Sequence, residues 1–457
     1  MPASASPTPA SSSCFKAYDI RGRVPDELDA ALAYRIGRAF AAFLGARRVA
    51  LGHDVRHSSP EIAGAVREAL VDAGVEVLEV GTCGTEQVYF ATIHLGLDGG
   101  IMVTASHNPV EYNGLKLVRE RGRPISADTG LPEIERLARG ESFPAPPRRG
   151  RAERIDLSAE YVAHLLGYVD PARLRPLRVV TNAGNGGAGA VVDRLEPHLP
   201  FRLLKVHHEP DGSFPNGVPN PLLPGNRSAT SRAVLEQHAD AGVAWDGDFD
   251  RCFFFDERGQ FVDGSYVVPM LAERALSRHP GARIVHDPRV VWATIETVRR
   301  AGGEPVPSKG GHAFMKETMR RVDAAYGGEN PGHHFFREFG YCDSGMIPWL
   351  VLLEHVCGRD VPLGQLVAAI AERHPASGEI NLELADPARA LELVLERYAP
   401  AALAIDRLDG VSAEFAEWRF NVRPSNTEPL VRVNLETRGD RELLAAKTDE
   451  LLAVLRA

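Results

Sequence analysis

Gly99-Gly100-Ile101-Met102-Val103 runs directly into Thr104-Ala105-Ser106-His107-Asn108-Pro109. The first five residues are a short apolar run of the kind that forms a buried strand in a parallel sheet. The next six leave that strand, because Asn108-Pro109 favours a turn over continued extension. A serine just past the C-terminal end of such a strand stands where open α/β sheets place their ligands. An ordinary strand exit with a capping serine reads the same way, so the meaning of Ser106 depends on the rest of the chain.

Strand-like and helix-like segments alternate around this stretch. Residues 48–52 predict a strand, 60–73 a helix, 75–80 a strand and 87–95 a helix. This βαβ patterning predicts a parallel or mixed sheet covered by helices. The run Phe143-Pro144-Ala145-Pro146-Pro147-Arg148-Arg149-Gly150 reads as a domain boundary. A second α/β unit begins with a strand at 177–181 and a third with one at 282–286. From about Ser377 the pattern changes to β-rich stretches at 379–384, 403–405, 417–422 and 430–437, with two amphipathic helices, one of which ends the chain. That predicts a smaller α+β domain. Residues 1–13 are nearly all Ser, Ala and Pro and predict a disordered tail.

The 457 residues suggest roughly three domains at about 150 residues each. Hydrophobic content of 44% and charged content of 25% are ordinary for a soluble globular protein. The formal net charge of −9 argues against bulk attraction to nucleic acid or to an anionic membrane. No apolar run approaches the roughly 18 residues needed to cross a bilayer. No basic segment followed by an apolar core marks a secretory signal. Five widely spaced cysteines without a C-x-x-C pair fit a reducing cytoplasm better than a disulfide framework or zinc site.

The second informative motif is Asp246-Gly247-Asp248-Phe249-Asp250-Arg251. Three carboxylates at alternate positions repel one another strongly unless a cation compensates them. Hard oxygen donors select Mg²⁺ or Ca²⁺. An EF-hand is disfavoured, because Arg251 stands where that loop needs glycine and the flanks read as strands. Arg423-Pro424-Ser425-Asn426-Thr427-Glu428-Pro429 gathers a cation, hydroxyls, an amide and turn-type backbone, the donors of an anion site. In Gly327-Gly328-Glu329-Asn330-Pro331-Gly332-His333-His334, small residues allow close approach to the backbone and a carboxylate suits sugar hydroxyls. Gly184-Asn185-Gly186-Gly187-Ala188-Gly189 fits the dinucleotide fingerprint, with Glu209 about twenty residues on. A tight strand-to-helix turn is the preferred reading, since nothing else in the chain calls for hydride transfer. Arg21, Lys116, Arg251, Arg289, Lys309 and Arg423 lie mostly in or beside these loops.

Together these motifs resemble the α-D-phosphohexomutase family, and within it the bacterial phosphomannomutase/phosphoglucomutase enzymes. Lys16-Ala17-Tyr18-Asp19-Ile20-Arg21-Gly22, Thr104 to Pro109, Asp246 to Arg251 and Ser425 to Pro429 stand in the expected order, and the likeness spans nearly the whole chain. Residues 211–216 and 342–348 look like the mannose-type members. The resemblance implies three α/β domains with mixed sheets and a C-terminal α+β domain with a mainly antiparallel sheet, arranged around one central cleft. The expected domains are 14–150 with the phosphoserine loop, 151–254 with the metal loop, 255–372 with the sugar loop and 373–457 with the distal phosphate loop.

It further implies that Ser106 is carried as phosphoserine, and that Asp246, Asp248 and Asp250 bind Mg²⁺ together with a phosphoryl oxygen on Ser106. Arg423, Ser425, Asn426 and Thr427 would hold the phosphate that is not reacting. Glu329 would read the sugar, with Asn330, Pro331, Gly332 and His333 beside it, and Tyr18, Arg289, Lys309 and His312 match further ligand positions. Arg21, His107, Lys116 and Arg251 match positions around the phosphoserine, and Lys116 and His312 are both open as the general base. The implied reaction interconverts mannose 6-phosphate and mannose 1-phosphate through a hexose 1,6-bisphosphate, in the cytoplasm. No nucleic-acid or membrane partner is expected, and monomer and dimer both stay open. Glucose or glucosamine phosphates as substrates, a sugar-phosphate phosphatase and a non-catalytic binder remain alternatives. Two departures from the family pattern stand out. Asn330-Pro331 occupy the places of Met-Ser, and Pro331 offers neither hydroxyl nor N–H. Arg289 stands where relatives commonly have lysine, which keeps the charge but changes the donor geometry.

Overall fold

The computed structural model describes residues 14–456 except 141, 144–145, 147, 385 and 425–429. The expected tail at 1–13 and the loop residues Ser425, Asn426 and Thr427 therefore lie outside the described residues. The chain divides into two compact units. One runs to Leu157 and takes in Asp211–Val218; the other comprises Ser158–Pro210 and Pro219 onward.

The first unit is built on a six-stranded mixed sheet. Its strand order is Ile20–Arg23, Tyr112–Arg119, Gly99–Val103, Arg48–His53, Glu76–Thr82 and Arg151–Arg154. Gly99–Val103 pairs parallel to Arg48–His53 and antiparallel to Tyr112–Arg119, so the strand before Ser106 has a parallel neighbour on one side only. It is apolar throughout because both of its faces are covered. Ile101 and Val103 join the core with Phe40, Ile62 and Val66, while Met102 joins a second cluster with Ala50, Leu78 and Val88. The helices expected at 60–73 and 87–95 are Ser59–Asp72 and Thr85–His94. Strand Arg151–Arg154 lies past the boundary expected at 150, yet pairs parallel to Glu76–Thr82 in this first sheet. All four of its residues are exposed, so it carries no apolar signal.

The second unit holds three five-stranded sheets. Two are mixed and belong to α/β layers. Their central strands include Arg178–Asn182 with Ala241–Trp245, and Arg283–His286 with Tyr326–Gly328. The third, Ile380–Glu383, Leu430–Thr437, Trp418–Pro424, Val411–Glu414 and Ala404–Asp406, is antiparallel throughout. It packs its core, Phe420, Val422, Val431 and Val433 among others, against helices Pro387–Tyr398 and Arg441–Arg456. The chain thus has three α/β domains with mixed sheets and a C-terminal antiparallel domain. Gly184-Asn185-Gly186 forms a tight turn between strand Arg178–Asn182 and helix Ala188–Leu195, with Asn185 left-handed at φ 60°. Among the described residues, no helix is long and apolar enough to cross a membrane.

Candidate active site

In the first unit, Ser106 follows the sheet strand by three residues and is only 1% exposed. Its φ of 51° is left-handed, a conformation that costs a serine free energy and needs outside support. The support is local and distant. The Ser106 N–H donates to Thr104 Oγ1 at 2.8 Å, and Ser106 Oγ lies 3.0 Å from His107 Nδ1. Arg56, itself 1% exposed, spreads its guanidinium beneath the loop. Nη1 donates to the carbonyls of Pro109 and Tyr112 at 2.7 and 3.1 Å, and Nη2 to those of Ser106 and Asn108 at 2.9 and 2.6 Å.

Asp54 lies 3.4 Å from Arg56 Nε. Burial raises the Asp54 carboxyl above the ordinary range, and Arg56 and the hydroxyls of Ser59 and Thr104 offset only part of that. Arg21 reaches the same loop from the opposite edge, donating to Asn108 Oδ1 at 2.6 Å while its Nη2 pairs with Asp19 at 2.8 Å. Gly114 lets the strands close up here. A Cβ at that position would stand 2.1 Å from the Ile20 carbonyl oxygen and 2.8 Å from that of Thr104. Lys116 lies on the neighbouring strand, paired with Met102, and is 6% exposed; Tyr18 is half-buried.

In the second unit, Asp246 to Arg251 is the connection of a β-hairpin. Cys252 pairs antiparallel with Trp245, so the flanks are strands, as the rejection of an EF-hand requires. Phe249, left-handed at φ 45°, turns the loop and is fully buried. Asp246, Asp248 and Asp250 are 0, 0 and 3% exposed, and each offers a carboxylate oxygen within 4.8 Å of the others. Arg251 pairs with Asp246 at 2.8 Å and stands 3.9 Å from Asp250. One guanidinium cannot neutralise three carboxylates. The buried donor set, all hard oxygen, therefore fits a divalent cation such as Mg²⁺.

The sugar-type loop is stitched to this hairpin, because Cys252 N–H donates to Gly332 O at 3.1 Å. Gly332 has φ 91° and packs against the Phe253 ring, where a side chain would collide. His333 spans the two loops, with Nε2 3.8 Å from Asp250 and Nδ1 3.3 Å from Glu329. Glu329 is 1% exposed and accepts from the Gly311 N–H at 2.7 Å, just before helix His312–Val322. Burial would raise its carboxyl, but His333, Arg289 and the Gly311 amide outweigh that and hold it down at about 2. The His312 ring lies 6.2 Å from the His333 ring. Lys309 stands over the Phe314 ring at 4.8 Å.

Sequence reasoning missed Asp287. Its carboxylate accepts from the Arg289 guanidinium at 2.6 Å and from the Asn330 N–H at 2.8 Å, tying a candidate phosphate ligand to the sugar loop. It also missed Asp343, which lies within 4.8 Å of Asp250 and His333 and pairs with buried Lys316 at 2.8 Å. Asp54 and Arg56 were missed in the first unit. The signal for Asp343 was present in the stretch 342–348; the others stand in no motif.

Models described as phosphoglucomutase/phosphomannomutase match four times in order: alpha/beta/alpha domain I over residues 12–145, domain II over 159–259, domain III over 263–374 and the C-terminal domain over 379–454. The chain belongs to the phosphoglucomutase/phosphomannomutase family. It is 55% identical over 449 residues to a phosphomannomutase of Escherichia coli K12, covering 97% of this chain and 98% of that protein. It is also 55% identical over 443 residues to a protein of Xanthomonas campestris named phosphohexose mutases, covering 97% and 99%. A solved phosphoglucomutase/phosphomannomutase family protein from Burkholderia thailandensis superposes with a TM-score of 0.87 at 33% identity, covering 97% of each chain. As a member of this family the chain is a phosphohexomutase, an isomerase.

Proposed function

We propose that the chain interconverts mannose 6-phosphate and mannose 1-phosphate, with glucose phosphates as secondary substrates. Ser106 carries the phosphoryl group, and a hexose 1,6-bisphosphate is the intermediate. The observation that supports this most is Ser106 itself. It is a left-handed serine at a strand end, held by four hydrogen bonds from Arg56 to the surrounding carbonyls, with His107 Nδ1 3.0 Å from its oxygen.

In the first half-reaction the phosphoryl group leaves Ser106 Oγ and bonds to the free sugar hydroxyl. The hydroxyl proton passes to a base, Lys116 or His312. In the second half-reaction the sugar's other phosphoryl group returns to Ser106 Oγ, and the proton goes back to the oxygen it leaves. Mg²⁺ held by Asp246, Asp248 and Asp250 would neutralise charge on the transferring group. Arg21, His107 and Arg251 orient and balance that charge. Glu329, ionised across the neutral range, accepts from sugar hydroxyls, with His333, Asn330, Pro331 and Gly332 around it. Tyr18, Arg289, Lys309 and Arg423 bind the ligand, and Ser425, Asn426 and Thr427, outside the described residues, complete the grip on the distal phosphate.

Turnover on mannose, glucose and glucosamine phosphates, with intact mass of the purified protein, tests this. One phosphate on the wild-type chain and fastest isomerisation of mannose phosphate are expected. Release of inorganic phosphate without isomer formation would overturn it in favour of a phosphatase.

A further inference from the structure

Three guanidinium groups of the second unit converge on one carboxylate. Glu379 Oε2 lies 3.2 Å from Arg423 Nη2 and 3.6 Å from Arg289 Nε, and its Oε1 lies 3.5 Å from Arg432 Nη1. Glu379 immediately precedes strand Ile380–Glu383, and its backbone is fixed there. The Ser377 N–H donates to Leu435 O at 2.9 Å, the Ser377 hydroxyl accepts from the Leu435 N–H at 2.9 Å, and Gly378 is left-handed at φ 70°.

The surroundings are unequal. Arg289 and Arg423 keep 6 and 8% of their side-chain exposure, whereas Glu379 keeps 32%. Arg289 has a second partner in Asp287 at 2.6 Å. Arg423 is worse placed: burial, then Arg289, and further off Arg432, lower its pKa, against Glu379 and Asp409. Burial would raise the Glu379 carboxyl, but the three arginines hold it below the ordinary range, so it is an anion at neutral pH. Buried, crowded cations around a reachable carboxylate make a site where one anion can replace another.

Granted the mannose-phosphate reaction proposed for this chain, we infer that Glu379 is a built-in counter-anion. Its carboxylate holds the arginine trio until the phosphate of a sugar phosphate displaces it. A monoanion gains little by the exchange, since it trades one charge for another. A phosphate dianion brings a second charge and a third oxygen. Glu379 therefore selects phosphate esters over monoanions, and its return to the arginines speeds release. Arg289 suits this role better than the lysine common in relatives, because its planar fork reaches Asp287 and Glu379 at once.

The test is Glu379→Gln in the full-length protein, with inorganic phosphate as the calorimetric probe and mannose 1-phosphate as the kinetic one. Phosphate should bind about tenfold tighter. KM should fall, kcat should fall with it, and acetate should become a better inhibitor. Glu379→Asp, which keeps the charge on a shorter arm, should bind phosphate more weakly than Glu379→Gln and more tightly than the wild type. The gain should vanish when Glu379→Gln is combined with Arg423→Ala. Unchanged or weaker phosphate binding in Glu379→Gln would overturn the inference and assign Glu379 to holding the arginines in place. If neither protein isomerises sugar phosphates, the proposed function fails, and the phosphate titration still decides the role of Glu379.

Discussion

The loop that presents Ser106 and the loop that carries the three aspartates are built alike and held oppositely. Each is short, each buries the residue at its turn, and each turns through a non-glycine residue in the left-handed region, Ser106 at φ 51° and Phe249 at φ 45°. The serine loop closes over a buried cation that donates to its carbonyls. The acidic loop gathers buried anions that repel one another, with Arg251 as the cation within it. The first is therefore shaped from outside, by a residue 50 positions earlier in the chain. The second is shaped from within, by the hairpin, and its charge is left for a ligand to finish. Stability and chemistry should separate accordingly. Damage to the support of the serine loop unfolds, and damage to the acidic loop disarms.

The largest effect falls on the serine itself. Ser106→Ala should cut isomerisation by more than about 10³-fold, because it removes the oxygen proposed to carry the group. Intact mass should show the phosphate absent, and near-normal turnover would end the phosphoserine proposal. Next comes the acidic loop. Asp248→Asn should lower turnover by about 10²-fold, with EDTA doing the same to the wild type and Mg²⁺ restoring it. Without metal the variant's Tm should equal or exceed that of the wild type, since one of three repelling carboxylates has gone. A large fall in metal-free Tm would refute the contrast.

Arg56→Met probes the other side of the comparison. It leaves four carbonyls and the Asp54 carboxylate without their buried partner, at a cost of about 3–5 kcal/mol in denaturant unfolding. Turnover should fall as well, because the loop loses its shape. Arg56→Lys should rescue the charge but not the fork, and so recover only part of both. A neutral Arg56→Met would show that the left-handed serine needs no external brace.

Glu329 supplies the pH signature. Its folded pKa of about 2 lies below the ordinary 4.5, so its contribution to stability is full above pH 4.5 and is lost as the pH falls towards 2. The difference corresponds to on the order of 3 kcal/mol. His334 acts over a higher window. Burial holds its pKa at about 3 instead of 6.5, so the unfolded chain takes up a proton the folded one refuses, and stability falls as the pH drops below 6.5. Glu329→Gln should flatten the fall below pH 4.5 in urea titrations and leave the part above it.

Much of this was legible in the sequence, and the exceptions have physical causes. Strands buried on both faces announce themselves, as Gly99–Val103 does. Arg151–Arg154 does not, because an exposed edge strand of charged residues reads as solvated chain. Val411–Glu414 was missed because Asp409-Gly410 before it reads as a turn and the strand itself is short. The candidate site residues were legible because they cluster in motifs. The braces were not: Arg56 meets the serine loop, Asp287 meets Asn330 and Glu379 meets Arg423 only through tertiary packing, and no spacing rule links position 56 to position 106. The lesson for the comparison is that the hairpin loop could be read locally and the serine loop could not.

The smallest effect sharpens the acidic side further, through the sugar loop attached to it. The Gly332 N–H closes the turn onto Glu329 O at 3.1 Å, and the Asn330 N–H is taken by Asp287 at 2.8 Å. Pro331 has no N–H to give. The only main-chain donor between Glu329 and Gly332 is thus already committed, so the hydrogen-bond donors that 330–331 can bring to a sugar come from side chains. Asn330 brings an amide that both donates and accepts, where methionine would bring only a thioether. Pro331→Ser would return a hydroxyl and an N–H to the loop without touching Glu329 or Asp287. Turnover on mannose and glucose phosphates should then shift relative to one another by about tenfold or less, mostly in KM, since one hydrogen bond to a sugar hydroxyl is at stake. Asn330→Met should move the ratio again while leaving the Asp287 bond intact, because that bond uses the backbone. If neither change alters the ratio, sugar choice resides in Glu329 and His333, and the departure from the family pattern at 330–331 is structural.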